Sequence, residues 1–169
     1  KQKEQIDENI SQGIKRLQRF VTMDGGFGYW PGATESSEWG TNYAGHFLLE
    51  AKTKGYFVPD NLLDKWYNYQ TSKANGYTND ETKYYRNGNE LLQSYRLYTL
   101  AQFGKPAQGA MNRLKESGLQ SNTAKWRLAS AYALAGKINI AKSMTASVSY
   151  AVSNYRADYY NYGSQYRDI

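Results

Sequence analysis

Apolar residues recur at helical spacing along most of the chain. Ile6, Ile10, Ile14, Leu17 and Val21 follow one another at intervals of four, four, three and four, one face of an amphipathic helix over about residues 3–21. Thr41 or Asn42 can cap a second helix that turns Tyr43, Phe47, Leu48 and Ala51 inward and stops at Gly55. A third follows Pro59-Asp60, with Leu62, Leu63, Trp66, Tyr67 and Tyr69 on its apolar side. Asn75 to Glu81 is turn chemistry, and from there to Asn89 the chain stays polar apart from Tyr84 and Tyr85. Helical spacing resumes from Glu90 to Ala101 with a stop at Gly104, and again from Pro106 to Gly118. A last hairpin takes Asn122 or Thr123 as cap, runs through Trp126, Leu128, Ala131 and Tyr132 to Gly136, and continues from Ile138 to Val148. Between Ser149 and Tyr166 the period is lost among polar residues, which predicts an ordered connection.

No alternating period is sustained anywhere, so the predicted class is all-α, with six or seven helices. Successive αα-hairpins point to part of an α/α toroid. Residues 1–169 read as a single partial domain, expected to be truncated at both ends because the chain opens inside a helical pattern and closes without a terminating element. Such ends predict exposed apolar helix surface and self-association.

One connection stands out. Asp24-Gly25-Gly26-Phe27-Gly28-Tyr29-Trp30-Pro31-Gly32 lies between the first two helices and precedes Trp39-Gly40-Thr41-Asn42-Tyr43-Ala44-Gly45. Its glycines permit tight turning while three aromatic rings are held in place, which suggests an aromatic plug between hairpins.

Composition narrows the chemistry. The 169 residues include 17 tyrosines and no cysteine, so disulfides, thiolate metal sites and a cysteine nucleophile are excluded within them. A net charge of +6 comes from scattered single Lys and Arg residues, not from a basic block, and the reading is no nucleic-acid partner. No apolar run reaches the ~18 residues of a membrane helix, leaving membrane attachment only to an anchor upstream of Lys1.

His46, the single histidine, has no second metal ligand beside it and reads as structural. Glu35 and Glu38 near the aromatic loop, with Asp80 and Glu81 in the polar loop, could supply an acid–base pair of the glycosidase kind. The rings of Trp30, Trp39, Tyr84 and Tyr85 are the candidate ligand-binding residues, as stacking platforms for a sugar. No catalytic residue, metal site or cofactor is assigned. The alternative function on this basis is a carbohydrate-binding or carbohydrate-cleaving α/α toroid.

Several segments together resemble the α2-macroglobulin family, specifically its bacterial branch, in the α/α-toroid domain that normally carries the thioester. These are Asp24 to Gly32, Trp39 with Thr41 to Ala44, Phe47 to Ala51, Gly55-Tyr56, Val58-Pro59, Lys125 to Ala129, Ala131 to Gly136, Tyr162 to Ser164 and Arg167-Asp168. They span nearly the whole chain in order. The resemblance implies protease trapping, in which bait cleavage triggers a conformational change and a Cys-to-Gln thioester acylates the attacker. It also implies a periplasmic, cell-surface or secreted location, with proteases and the other domains of a parent protein as partners. The cysteine that this chemistry needs is absent here, and His46 does not match the family's catalytic histidine. The expected role is therefore non-enzymatic.

Overall fold

The computed structural model describes residues 2–78, 86–146 and 148. Tyr84 and Tyr85, the acidic pair Asp80-Glu81 and the Ser149–Tyr166 connection lie outside the described residues. Among the described residues 71% are helical and none forms a strand. In order come α1 (Gln2–Leu17), a short 3-10 turn (Gln18–Phe20), α2 (Glu38–Thr53), α3 (Asp60–Gly76), α4 (Arg86–Gln102), α5 (Gln108–Glu116), α6 (Asn122–Leu134) and α7 (Ile138–Thr145). Helices α2, α4 and α6 lie side by side with α4 in the middle, and α3 and α5 back them. This two-layered series of hairpins is the all-α, toroid-like arrangement predicted from the helical spacing.

The glycine stops fall where the pattern put them. Gly55, Gly104, Gly118 and Gly136 have φ of 89°, 81°, 73° and 76°, the left-handed conformation that ends a helix and that a Cβ disfavours. The start of α2 differs from expectation. Its cap is Ser37, whose hydroxyl accepts from Gly40 N at 3.0 Å, so Thr41 and Asn42 lie inside the first turns and are buried. Ser37 followed by Glu38 suits a helix start, because the hydroxyl takes an orphan amide and the carboxylate favours the positive end. Helix α4 likewise begins at Arg86, one turn before Glu90.

The inward face of α2 is rotated from the predicted one. Ala44, Gly45, Leu48, Leu49 and Ala51 are buried, whereas Tyr43 and Phe47 are exposed. Gly45 explains the rotation: a Cβ there would overlap the indole of Trp66, which presses on α2 and donates Nε1–H to Thr41 O at 3.2 Å. The backbone of α2 must face α3 at that point. On α1, Ile14 is buried while Ile6 is exposed, so only the second half of that apolar face is covered.

The core has two parts. One joins Ile14, Phe27, Leu48, Leu63 and Trp66, and the other joins Leu97, Leu100, Met111, Leu114, Leu128 and Tyr132. Phe103 stands edge-on to Trp66 and tilted against Tyr67, with centroids 5.8 and 5.7 Å away, linking the third helix to the end of the fourth.

Candidate functional site

The aromatic loop is a clipped turn. Val21 and Phe27 form an isolated antiparallel bridge, Thr22 N donates to Gly26 O at 2.9 Å, and Gly25 N donates to Thr22 O at 3.0 Å. Gly25 has φ 88°, and a Cβ there would stand 2.8 Å from Lys65 O, so both dihedral and space require glycine. The Asp24 carboxylate accepts from Thr22 Oγ1, Gly26 N and Ser36 Oγ at 2.6, 3.2 and 2.8 Å. Burial raises the pKa of Asp24, but these three donors and Lys73 outweigh it and hold the carboxyl below its ordinary value. Phe27 N donates to Thr41 Oγ1 at 2.8 Å, and Ser37 N donates to Phe27 O at 2.8 Å, which ties the loop to the start of α2.

Of the three loop rings only Phe27 is a plug, being 2% exposed; Tyr29 and Trp30 face outward. The two rings border an open cavity of about 410 Å³ together with Ala33, Thr34 and Glu35. Trp39 does not line it. It belongs to α2 and packs against Tyr43 and Tyr95, with centroids 5.8 and 5.7 Å away. Trp30 and Trp39 therefore serve different surfaces.

The cluster around Trp39 continues to the single histidine. His46 Nδ1 and the Tyr95 hydroxyl are 2.9 Å apart, and the imidazole stands edge-on to both Tyr95 and Tyr98. Burial lowers the pKa of His46; Glu50, 3.8 Å from Nε2, opposes this and Arg127 adds to it, leaving the net value depressed. Burial, with the nearby Tyr43, pushes the Tyr95 phenol up to about 12 against the pull of Arg127. The phenol and the imidazole thus share one hydrogen bond, with the phenol keeping its proton at neutral pH. Arg127 stacks over the Tyr95 ring at 4.5 Å. The arrangement holds the histidine uncharged and in place.

A third constellation was not predicted. Arg96, 1% exposed, donates Nε–H to Gln70 Oε1 at 3.0 Å, Nη1–H to Gln93 Oε1 at 2.6 Å and Nη2–H to Glu38 Oε2 at 2.6 Å. Gln70 in turn donates to Asn42 Oδ1 at 2.6 Å, and Asn42 donates to Leu92 O at 3.2 Å. Lys73 approaches the other Glu38 oxygen at 3.3 Å. Burial works to raise the pKa of Glu38, but Arg96 and then Lys73 overcome it and hold the carboxylate ionised below the usual range. A general acid for glycoside cleavage needs the opposite shift. Glu38 is thus an anchor between α2, α3 and α4 and, held ionised, does not suit the role of the general acid in the pair suggested by the sequence. Among the described residues no group of His, Asp and Glu side chains is placed to hold a metal ion, and no helix is long and apolar enough to cross a membrane.

The fold has solved relatives. Native α2-macroglobulin from Escherichia coli, in a form spanning domain MG7 to the C-terminus, superposes with a TM-score of 0.74 at 23% identity, over 85% of this chain. The chain has a fold found in bacterial α2-macroglobulins. The trypsin-activated E. coli protein gives a TM-score of 0.70 at 24% identity over 79% of the chain. Salmonella α2-macroglobulin reacted with methylamine gives 0.67 at 21% over 80%. The chain spans only 23%, 10% and 9% of those three α2-macroglobulin chains, so it corresponds to one segment of each. No family model and no curated protein sequence matches it.

Sequence reasoning missed Arg96 and Tyr95. A signal for Arg96 was present: Gln93 and Arg96 alternate with Leu97 and Leu100 on the apolar stripe of α4, where a solvated face would not place them.

Proposed function

We propose that this chain is a non-enzymatic helical platform within a larger bacterial α2-macroglobulin-like protein, taking part in protease inhibition by trapping. The observation that carries the reading is the match in fold, over most of the chain, to α2-macroglobulins described as native, trypsin-activated and elastase-activated. The internal construction suits a platform. The loop is clipped to α2, and a buried ionic network holds α2, α3 and α4 together, so the unit can move as a rigid body. The exposed groove between α1 and α2, floored by Leu17 and Ala44 and walled by Phe20, Tyr43 and Phe47, is a surface for packing other domains of the parent protein or for self-association. With no cysteine in its 169 residues, the chain contributes no thioester of its own. A periplasmic, cell-surface or secreted location belongs to this reading.

The test uses the parent protein with trypsin or elastase. Limited cleavage should leave the protease co-eluting with the cleaved protein and shielded from a protein-sized inhibitor. Cleavage into separate fragments with the protease fully inhibitable would remove the reading.

The outward Tyr29 and Trp30 on a fixed loop support a second reading, carbohydrate binding at the loop cavity. Titration with soluble polysaccharides should then give a saturable tryptophan fluorescence change that Trp30→Ala abolishes. The absence of any change would dispose of it.

A further inference from the structure

Two Asn-Gly pairs occur in the chain, Asn75-Gly76 and Asn87-Gly88. The first belongs to the stretch whose composition predicts a turn, yet it forms the last two residues of α3. The residues on either side of it are held. Ala74 is fully buried and its carbonyl accepts from Gln93 Nε2 at 3.1 Å, while Tyr77 packs against the core built from α4, α5 and α6. Asn75 and Gly76 between them are exposed. Arg113 Nη2–H, donating to Asn75 O at 3.3 Å, ties that carbonyl to α5.

Space around the pair is open. A Cβ at Gly76 would meet nothing within 4 Å, and Gly76 borders an open cavity of about 460 Å³ with Lys73 and Tyr77. The peptide plane between Asn75 and Gly76 can therefore swing while Ala74 and Tyr77 stay in place, because a rotation at ψ of Asn75 is offset by an opposite one at φ of Gly76. That offset carries residue 76 toward backbone angles that a residue with a Cβ reaches only at a cost. The swing breaks the bond from Arg113 and brings the Gly76 nitrogen to the Asn75 side-chain amide, across what becomes a five-membered ring.

We propose that Asn75 is a site of spontaneous deamidation and isoaspartate formation in the folded chain. Hydroxide takes the proton of the Gly76 amide, and the nitrogen attacks Asn75 Cγ. The N–Cγ bond forms, the Cγ–Nδ2 bond breaks, and ammonia leaves with a proton from water. Water then opens the cyclic imide. Addition at Cγ gives aspartate, and addition at the main-chain carbonyl gives isoaspartate, with the backbone routed through Cβ and Cγ. Nothing is oxidised or reduced and no partner is needed, so the reaction is independent of protease trapping. Either product puts a carboxylate beside Arg113 at the end of α3, where the helix dipole opposes it and the guanidinium favours it. The isoaspartyl product also adds a backbone carbon to the last turn, which breaks its helical register.

The test incubates the full chain at neutral and mildly alkaline pH and follows ammonia release and tryptic peptides by mass spectrometry. Trypsin cuts after Lys73, Lys83 and Arg86, which separates the two Asn-Gly pairs, and fragmentation distinguishes Asn75 from Asn79. Isoaspartate at residue 75 should accumulate in proportion to hydroxide, about tenfold more slowly than in urea-unfolded chain, a lag of the size expected for local opening at a helix end. Gly76→Ala should slow it about tenfold, because the swing then forces a Cβ into strained backbone angles. Arg113→Met, at an exposed position, should speed it about threefold by freeing the Asn75 carbonyl. Thermal melts confirm that each variant folds. The proposal is overturned if the folded chain gives no product at residue 75, or gives it at Asn87 alone. It is also overturned if the product forms only under conditions that unfold the whole chain, or if Gly76→Ala leaves the rate unchanged. An unchanged rate in Arg113→Met overturns the part assigned to the clamp from α5.

Discussion

Arg96, in the middle of α4, reaches the first turn of α2 and donates to Glu38 across 2.6 Å while its guanidinium is almost fully buried. The two ends of this pair are unequal in their surroundings. Glu38 keeps 38% of its side chain exposed and is shared with Lys73, whereas Arg96 depends on Gln70 and Gln93 as well. Removing the guanidinium leaves the two buried amide oxygens without their donor, so Arg96→Met should cost about 3 kcal/mol. Glu38→Gln keeps an acceptor and leaves a partly solvated site, so its cost should be about 1 kcal/mol. Urea midpoints of the two variants check the ranking; equal costs would mean that the network has no buried centre.

The same pair sets the acid response. Asp24 and Glu38 are depressed below 3.8 and 4.5, the values that serve for the unfolded chain. Their stabilisation is complete above those values and is lost as pH falls through the lower folded ones. His46 acts earlier. Its folded pKa is also depressed, from 6.5, so the unfolded chain takes up the proton first and stability declines as pH falls below 6.5. Urea midpoints measured from about pH 7 to about pH 3 should therefore fall in two stages. His46→Gln should remove the first stage and Glu38→Gln should shrink the second. A single stage unaltered by His46→Gln would contradict the neutral imidazole.

What could be read from the chain divides along physical lines. Helical spacing located the hairpins because each helix buries one stripe, and the glycine stops were legible because the left-handed conformation selects that residue. The rotation of α2 was not legible. Tyr43 and Phe47 have the spacing and the apolarity of core residues, and only the contact of Gly45 with Trp66, 21 positions away, turns them outward. The loop was recognisable as a device for holding rings, but which ring is buried depends on Thr41 catching Phe27 N. Likewise Arg96 and Glu38 are 58 positions apart, and no local pattern pairs them.

Gly45 and Gly76 are both helical glycines, and alanine should have opposite effects at the two. At Gly45 the new methyl group would strike the ring of Trp66, which is fully buried and held by its bond to Thr41 O. Helix α2 must then move off α3, at a cost of about 3 kcal/mol or somewhat more. Around Gly76 there is nothing within 4 Å, and its φ is not positive. Alanine there should stabilise by about 0.5 kcal/mol by restricting the unfolded chain. Thermal melts of the two single variants measure the contrast, and a tolerated Gly45→Ala would show that the Trp66 contact yields easily.

Thr41 joins the loop to the helix with one hydroxyl. Its Oγ1 donates to Ser37 O at 2.6 Å and accepts from Phe27 N at 2.8 Å, and the site is fully buried. Thr41→Val preserves shape but leaves the Phe27 amide without an acceptor, which should cost about 2 kcal/mol. The loss should be concentrated in the loop, because Gly28 N to Phe20 O and Ser37 N to Phe27 O then carry Phe27 alone. Limited digestion with chymotrypsin should cut after Phe27 or Tyr29 several-fold faster than in the wild type, while far-ultraviolet dichroism stays the same. Thr41→Ser keeps the hydroxyl and should restore most of the protection. If Thr41→Val lowers the melting temperature but leaves cleavage in the loop unchanged, the hydroxyl stabilises α2 alone and the clip between loop and helix is not what fixes the aromatic rings.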